Sequence, residues 1–179
     1  MPNWCENKLE VRGSKADLDK FMAAAAGPDK GGDNVAFSFH RFRPMPEEYT
    51  GIIHGSTTID GKSVSEWREV EGKSVALTSM ERQVLMSKYG ATNWYDWANQ
   101  NWGTKWDAID VGGPVVEEES LGVLGSEVRA VYSFSTAWRP PVALLHYIST
   151  QYPTLRFNDS WTEEGGAAGD FTYINGEEV

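Results

Sequence analysis

Aromatic and cationic side chains that could bind a ligand are concentrated in three short segments. Residues 93–107 contain four tryptophans, one tyrosine and a lysine, and residues 40–46 and 135–141 each combine arginine with aromatic rings. Indole rings stack on flat rings such as nucleobases, and Lys and Arg pair with phosphate oxygens. This pattern favours a site for a nucleobase plus phosphate. The candidate ligand-binding residues are Arg41, Arg43, Trp94, Trp97, Trp102, Lys105, Trp106, Trp138 and Arg139.

The same tryptophans have a structural interpretation, because large rings at strand ends also fill the core between a sheet and its helices. For any single tryptophan the sequence favours the core. For at least one pocket of aromatic rings and cations among the three segments, both interpretations remain open.

Residues that could carry catalysis or bind a metal lack the necessary spacing. His40, His54 and His146 are far apart, without the i, i+4 pairing of a metal site. Cys5 falls in a predicted strand, where a small buried side chain is expected rather than a nucleophile. Residues 165–169 are glycine-rich but precede a strand, so they predict a hairpin rather than a phosphate loop. We therefore predict no catalytic residues, no metal and no cofactor.

Charge and composition exclude several classes of protein. The 179 residues include 16 basic and 26 acidic side chains, and the net charge of −10 argues against broad binding of nucleic acid. No apolar run is long enough to span a membrane, and the polar amino terminus does not resemble a signal peptide. The sequence thus predicts a soluble, cytoplasmic, single-domain protein over residues 1–179. Residues 91–179 carry 4 basic and 13 acidic side chains, hence almost all of the net charge.

The elements that must position the candidate residues follow from hydrophobic periodicity. Trp4 to Val11 predicts a strand, and Ser14 caps a helix that ends before Gly27. Residues 35–39 alternate apolar and small side chains, which predicts a second strand. Residues 128–136 give the clearest strand, followed by a helix that starts at Pro140-Pro141 and by strands near 155–161 and 171–174.

Residues 43–127 lack this regular pattern and are interpreted as a long, Trp-rich insertion. Ser79 and Asn93 are expected to cap helices within it, while residues 51–61 are predicted to form a loop, and residues 65–71 a short helix or strand. Gly112-Gly113-Pro114 and Glu117–Glu119 predict a solvated loop. Two strand–helix–strand halves, 1–42 and 128–179, predict a ferredoxin-like α+β fold with helices on one face of an antiparallel sheet.

Several motifs resemble one known family. They are Met1–Asn7 (MPNWCEN), Trp102–Asp107 (WGTKWD), Phe134–Pro141 (FSTAWRPP), Tyr152-Pro153 and Glu163-Glu164-Gly165. In this order and spacing they resemble the phage- and plasmid-encoded Api-type family with a ferredoxin-like domain. The resemblance implies an origin in a mobile element and the same fold class, and it supplies no catalytic residues.

Two functional hypotheses remain, together with a third of lower rank. The first is a non-enzymatic accessory protein that sequesters a small nucleotide-type signal of host defence, in a cleft between the sheet and the insertion. The alternative is an acidic inhibitor or nucleic-acid mimic that occupies a host defence protein, because the charge of residues 91–179 would fit a basic surface. The third is an enzyme acting on nucleotides. The sequence leaves the oligomeric state, including homo-oligomers, undecided.

Overall fold

The computed structural model of the chain describes residues 3–29, 31–120 and 126–179. Met1 and Pro2 of the amino-terminal motif, and residues 121–125 of the predicted insertion, lie outside the described residues. The chain divides into two compact units. The sheet unit consists of Met1–Pro44 and Asn101–Val179, and the inserted unit is Met45–Gln100.

Both units contain strands and helices. In chain order the elements are β1 (Trp4–Gly13), α1 (Lys15–Ala25), β2 (Gly27–Pro28), β3 (Asn34–Val35), α2 (Phe39–Phe42), a 3-10 turn (Glu47–Tyr49), β4 (Ile53–Ile59), β5 (Lys62–Val70), β6 (Lys73–Ala76), α3 (Ser79–Tyr89), α4 (Trp94–Asn101), β7 (Ile109–Ser120), β8 (Ser126–Ala137), α5 (Val142–Gln151), β9 (Arg156–Glu163), β10 (Ala168–Ile174) and β11 (Glu177–Glu178).

The sheet unit is built on one six-stranded sheet with the strand order β11-β10-β9-β1-β8-β7, and every neighbouring pair is antiparallel. Its central part follows the chain as β1-α1-β7-β8-α5-β9, which is the β-α-β-β-α-β succession of a ferredoxin-like fold. Strands β10 and β11 extend the sheet beyond β9. The α+β class predicted from the sequence is confirmed.

Both long helices of this unit cover the same face of the sheet. Phe21 of α1 packs edge-on against Tyr132 of β8 and Phe157 of β9, and His146 of α5 contacts Tyr173 of β10. The register places Tyr132, Phe157 and Tyr173 on one face, together with the buried Leu9. Alternate residues of β1 therefore belong to the core, as the pattern of that strand predicts.

The second strand of the ferredoxin-like unit is β7, and the prediction of a strand over residues 35–39 is wrong. Val35 ends the two-residue β3, and Phe39 begins α2. Phe37 and Phe39 alternate in the sequence because both rings pack against Phe134 in the core. The insertion consequently separates α1 from the second strand, instead of separating two strand–helix–strand halves.

The predicted solvated loop around residues 112–119 is also wrong, because these residues lie in β7. Val115 pairs with Val131 of β8, and Glu117 pairs with Arg129 in register and through an ion pair. Pairing with β8 compensates for the low strand propensity of glycine, proline and glutamate. Glu117 and Glu118 are nevertheless exposed, as predicted. The inserted unit, Met45–Gln100, is accordingly shorter than the insertion of 43–127 drawn from the sequence.

The inserted unit contains the three-stranded antiparallel sheet β4-β5-β6 and the helices α3 and α4. Residues 51–61 were predicted as a loop, but Ile53–Ile59 pairs with β5. The predicted helix α3 is confirmed, but the predicted cap Ser79 is wrong, because Ser79 is the first residue of the helix and Thr78 forms the capping box with Glu81. A left-handed Gly90 ends the helix. Asn93 accepts a hydrogen bond from the backbone N–H of Asp96, as predicted for the cap of α4.

Candidate ligand-binding site

Two half-buried and two exposed side chains of the sheet unit form a group that we call the tryptophan–lysine cluster: Trp4, Lys105, Trp106 and Trp138. The ammonium of Lys105 lies 3.9 Å from the ring centroid of Trp106 and 5.8 Å from that of Trp138. The rings of Trp4 and Trp106 are 6.0 Å apart and tilted by 41°. Trp106 is 38% exposed and Trp138 47% exposed, so both rings are accessible to a ligand.

The cluster lies at one end of the sheet, where strands and a connecting segment meet. Trp4 is the first residue of β1 and pairs with Ala137, the last residue of β8. Trp138 follows directly, and Lys105 and Trp106 belong to the segment between α4 and β7. The site therefore depends on parts of the chain that are remote in sequence.

Trp102 anchors the start of the connecting segment in the core. Its ring is only 2% exposed, its indole N–H donates to the carbonyl oxygen of Arg43 at 2.9 Å, and its own carbonyl accepts from the N–H of Leu144 at 3.3 Å. The next residue is Gly103, with φ of 88°, where an added Cβ would lie 3.0 Å from the backbone nitrogen of Val142. Only glycine fits this close approach to the start of α5.

Hydrogen bonds of the preceding and the following residue fix the backbone around Lys105 and Trp106. The hydroxyl of Thr104 donates to the carbonyl oxygen of Ala137 at 2.8 Å. The carboxylate of Asp107 accepts from the hydroxyl of Ser38 and from the backbone N–H of Phe39, both at 2.7 Å, and so caps α2. Because the flanking residues are held by these bonds, the segment presents the two side chains between them on a fixed backbone.

Trp138 has a backbone conformation that bulky residues rarely adopt. Its φ is 74°, in the left-handed region, which costs about 1–2 kcal/mol for a residue with a Cβ atom. The conformation is held from both sides, since its N–H donates to the carbonyl of Asn3 at 2.9 Å and the hydroxyl of Thr136 donates to the carbonyl of Arg139 at 2.8 Å. Backbone strain of this kind is concentrated at functional sites.

Asn7 connects the strands beneath the cluster. It is 4% exposed, and its side-chain amide donates to the carbonyl oxygens of Cys5 and Phe134 and to the hydroxyl of Thr136, at 2.8, 3.3 and 2.9 Å. These bonds link the beginning of β1 to the end of β8. Residues 3–7 of the first motif, Trp102–Asp107 and Phe134–Pro141, which carried the resemblance, thus meet at this one end of the sheet.

Lys105 and Arg139 are the cations that a ligand could use here. Arg139 is exposed and immediately follows Trp138 in the chain. Within the described ranges, neither side chain forms an ion pair with a carboxylate. Both side chains are therefore available to an anionic group.

The other candidate cations have contacts elsewhere in the sheet unit. The guanidinium of Arg41 donates to the carbonyl of Ala24 at 3.2 Å, and the guanidinium of Arg43 lies 4.8 Å from the ring centroid of Tyr147. The structure does not bring either of them into the tryptophan–lysine cluster.

The four tryptophans of residues 93–107 are divided between the two units and differ in exposure. Trp94 and Trp97 belong to the inserted unit, whereas Trp102 and Trp106 belong to the sheet unit. Trp97 is 5% exposed and packs near Tyr49, while Trp94 is half-buried. The burial of Trp97 and Trp102 leaves no free ring face for stacking, so Trp106 is the exposed member of the set.

Trp4 belongs to the cluster but was not among the residues predicted to bind a ligand. Its position within the predicted strand gave one signal, because it alternates with the buried Cys5 and so had to face away from the core. Its proximity to Trp106 depends on the pairing of β1 with β8, which the local sequence does not specify.

Two other buried groups in the sheet unit do not contribute to the cluster. Burial raises the pKa of the Cys5 thiol to about 11, which disfavours the reactive thiolate. Asp159 is fully buried, neither of its oxygens has a hydrogen-bond partner in the described part of the chain, and burial raises its pKa to about 8. Asp159 is therefore expected to be protonated at neutral pH.

Across the described ranges, no group of three or more His, Cys, Asp or Glu side chains could hold a metal ion. No helix among those residues is long and apolar enough to cross a membrane. A shallow concavity of about 700 Å³ lies on the other face of the sheet, near Glu6, Lys8, Ser133 and Asp170. Its lining mixes both charges, so it favours no ligand class.

The fold and the site define an α+β protein with a ferredoxin-like sheet and an exposed aromatic–cationic cluster at one end. Residues 101–179 match the family model described as the ferredoxin-like domain in Api92-like protein. The whole chain is similar to the crystal structure of a protein api92 from Yersinia pseudotuberculosis, with 12% sequence identity, a TM-score of 0.53, and coverage of 100% of this chain and 96% of that one.

These two matches confirm the resemblance to the Api-type family and the ferredoxin-like fold predicted from the sequence. At 12% identity the similarity to the crystal structure concerns the fold. No curated protein matches the chain.

Proposed function

We propose that this protein acts by binding, without catalysis, a small nucleotide-type ligand at the tryptophan–lysine cluster. In this proposal the protein is an accessory factor of a mobile element and sequesters a signal of host defence in the cytoplasm of the host cell. Sequestration requires tight binding and slow release, and it requires no catalytic group.

One observation supports the proposal: on an acidic protein, the ammonium of Lys105 lies beside the exposed rings of Trp106 and Trp138 without an ion pair to any described carboxylate, and the exposed Arg139 follows Trp138 in the chain. Stacking of a base on an aromatic side chain contributes about 1–3 kcal/mol. Lys105 and Arg139 would add charge-assisted hydrogen bonds to phosphate oxygens. The net charge of −10 disfavours a long polyanion, whereas a small anion needs only the local pair of cations.

The direct test is calorimetry of the full chain with a panel of cyclic and linear nucleotides. We expect at least one nucleotide to bind, and Trp106→Ala to weaken that binding about tenfold or more through loss of stacking. Trp94→Ala is the matched control, because the ring of Trp94 packs edge-on against Tyr95, and it should leave the affinity unchanged. Absence of binding across the panel at tens of micromolar protein would exclude the proposal.

The same experiment separates binding from turnover. After prolonged incubation, the bound nucleotide should be recovered unchanged when the products are analysed by chromatography. Conversion of the nucleotide, and loss of that conversion in a variant of the cluster, would establish an enzyme acting on nucleotides instead.

A second candidate is an acidic inhibitor that occupies a basic surface of a host defence protein. It is favoured by the charge of residues 91–179 and by the exposure of Glu117 and Glu118 on β7, the outermost strand of the sheet on that side. Pull-down from host lysate at low and high salt distinguishes the two candidates. A stoichiometric protein partner that is lost at high salt, with no nucleotide bound, would favour the inhibitor.

A further inference from the structure

The ammonium of Lys105 already occupies a position on the aromatic surface of the cluster. At 3.9 Å from the centroid of Trp106 it lies at cation–π distance, and at 5.8 Å from the centroid of Trp138 it is still within the range of that interaction. These ring contacts are the interactions of the Lys105 ammonium within the described residues, where no carboxylate pairs with it.

A flat ligand ring that stacks on the face of Trp106 beside Lys105 would compete with the ammonium for that face. A stacked ring must approach to about 3.5 Å, the optimal separation of carbon atoms, and the ammonium fills that space. A ligand that consists of a base alone must remove the cation from the indole and offers it no anion in return. A free anion gains only an exposed ion pair, which contributes little in water.

A ligand with a ring and an adjacent anion resolves this competition. Its anion can draw the ammonium away from Trp106 into a charge-assisted hydrogen bond, while its ring takes the vacated face. The ammonium exchanges its contact with the indole for an ion pair with the anion, and the ring of the ligand gains the indole face that the ammonium leaves.

We propose that the ammonium of Lys105 covers the face of Trp106 on which a ligand ring stacks. Because a phosphate can draw the ammonium away and a nucleoside cannot, the cluster is selective for nucleotides over nucleosides of the same base. Lys105 is thus a specificity-determining residue of the site. This inference rests on the proposed function, and it names the ligand class as a planar ring that carries a phosphate close to it.

The position of Lys105 can be measured without any ligand. The ring current of Trp106 should shift the ε-methylene protons of Lys105 upfield of those of other lysines in the NMR spectrum, with assignment from the signal that is missing in Lys105→Met. Trp106→Leu should abolish most of this shift. An unshifted Lys105 signal in the wild-type protein would overturn the inference, whatever the ligands do.

Selectivity is measured with adenosine 5′-monophosphate and adenosine, guanosine 5′-monophosphate and guanosine, and inorganic phosphate. In Lys105→Met, which keeps the length of the side chain and removes its charge, nucleotide affinity should fall about tenfold. Nucleoside affinity should rise about two- to fivefold, because the cation no longer holds the ring face. Lys15→Met removes an exposed lysine of α1 and should change neither affinity.

The outcomes separate this inference from the proposed function. If the wild-type protein binds no nucleotide but Lys105→Met binds a nucleoside, the covering of Trp106 by Lys105 is supported and the proposed function fails. If the wild-type protein binds nucleotides and the ratio of nucleotide to nucleoside affinity is the same in Lys105→Met, the proposed function survives and the inference fails. If neither protein binds any of these probes, the inference fails, and the proposed function also fails when the wild-type protein binds no nucleotide of the calorimetric panel.

Discussion

The backbone N–H of Trp138 donates a hydrogen bond to the carbonyl oxygen of Asn3 at 2.9 Å, one residue beyond the last pair of β1 and β8. Trp138 makes this bond with φ of 74°, so the chain turns out of the strand while it remains attached to β1. The side chain is consequently exposed at the end of the sheet, close to Lys105. A strained backbone thus places an aromatic ring where a ligand can reach it.

The strain at Trp138 can be tested by comparing two truncations. Trp138→Ala and Trp138→Gly both remove the ring, but only glycine adopts a left-handed conformation without penalty. We expect Trp138→Gly to be more stable than Trp138→Ala by about 1 kcal/mol, measured by urea unfolding. Equal stability of the two variants would contradict the left-handed conformation.

Trp102 and Trp106 should respond differently to truncation, although they belong to the same short segment. Trp102→Ala removes a ring that is 2% exposed and should reduce the free energy of unfolding by about 3–5 kcal/mol. Trp106→Ala removes an exposed ring and should reduce it by less than about 1 kcal/mol. Thermal denaturation of the two variants is the measurement, and a large destabilisation by Trp106→Ala would assign that ring to the core.

Arg139 is expected to contribute to affinity and not to stability. If the ligand is anionic, Arg139→Ala should weaken its binding by about 1.5–3 kcal/mol, the contribution of a hydrogen bond to a charged group. The melting temperature should hardly change, since the side chain is exposed. Arg41→Ala is the comparison, because the guanidinium of Arg41 is bonded to Ala24, and it should leave the affinity unchanged. Unaltered affinity in Arg139→Ala would remove Arg139 from the site.

Asp159 should make stability depend on pH. Burial raises its pKa to about 8 in the folded protein, while an unfolded aspartate has a pKa of about 3.9. The folded state therefore binds an extra proton between these values. The stabilisation linked to that proton is complete below pH ~4 and is lost as the pH rises through about 8.

Asp159→Asn removes this proton linkage. The stability of Asp159→Asn relative to wild type should therefore increase from pH ~4 to pH ~8, by at most about 1.4 kcal/mol per pH unit, and then level off. Chemical denaturation at a series of pH values measures the difference. Asp170→Asn, at an exposed position in β10, is the control. A difference that does not change with pH would show that Asp159 is ionised or partnered in the folded protein.

The sequence by itself determined the elements whose patterns are local. The capping serine of α1, the alternation in β1 and β8, the proline pair before α5 and the glycine turn between β9 and β10 each specify an element within a few residues. The fold class and the family resemblance followed from the order of these elements and motifs, and both are confirmed.

The tertiary structure decided which strand is second in the sheet. The local pattern is misleading in two segments. In residues 35–39, two buried phenylalanines give the alternation that is typical of a strand. In residues 109–120, a Gly-Gly-Pro run and several glutamates give the composition that is typical of a loop. Backbone hydrogen bonds from β8, together with the ion pair between Arg129 and Glu117, stabilise the second segment as β7. Strand pairing over long separations overrides weak local propensity.

The tertiary structure also decided which tryptophans are exposed. Composition showed that the aromatic residues formed either a core or a binding surface, and within residues 102–107 both occur. The buried Trp102 is held by its indole N–H, which donates to the carbonyl of Arg43, and by its backbone carbonyl, which accepts from the N–H of Leu144. The backbone on either side of the exposed Trp106 is held by the hydrogen bonds of Thr104 and Asp107. These partners come from distant parts of the chain. Exposure of a single ring is therefore a property of the assembled sheet unit and not of its local sequence.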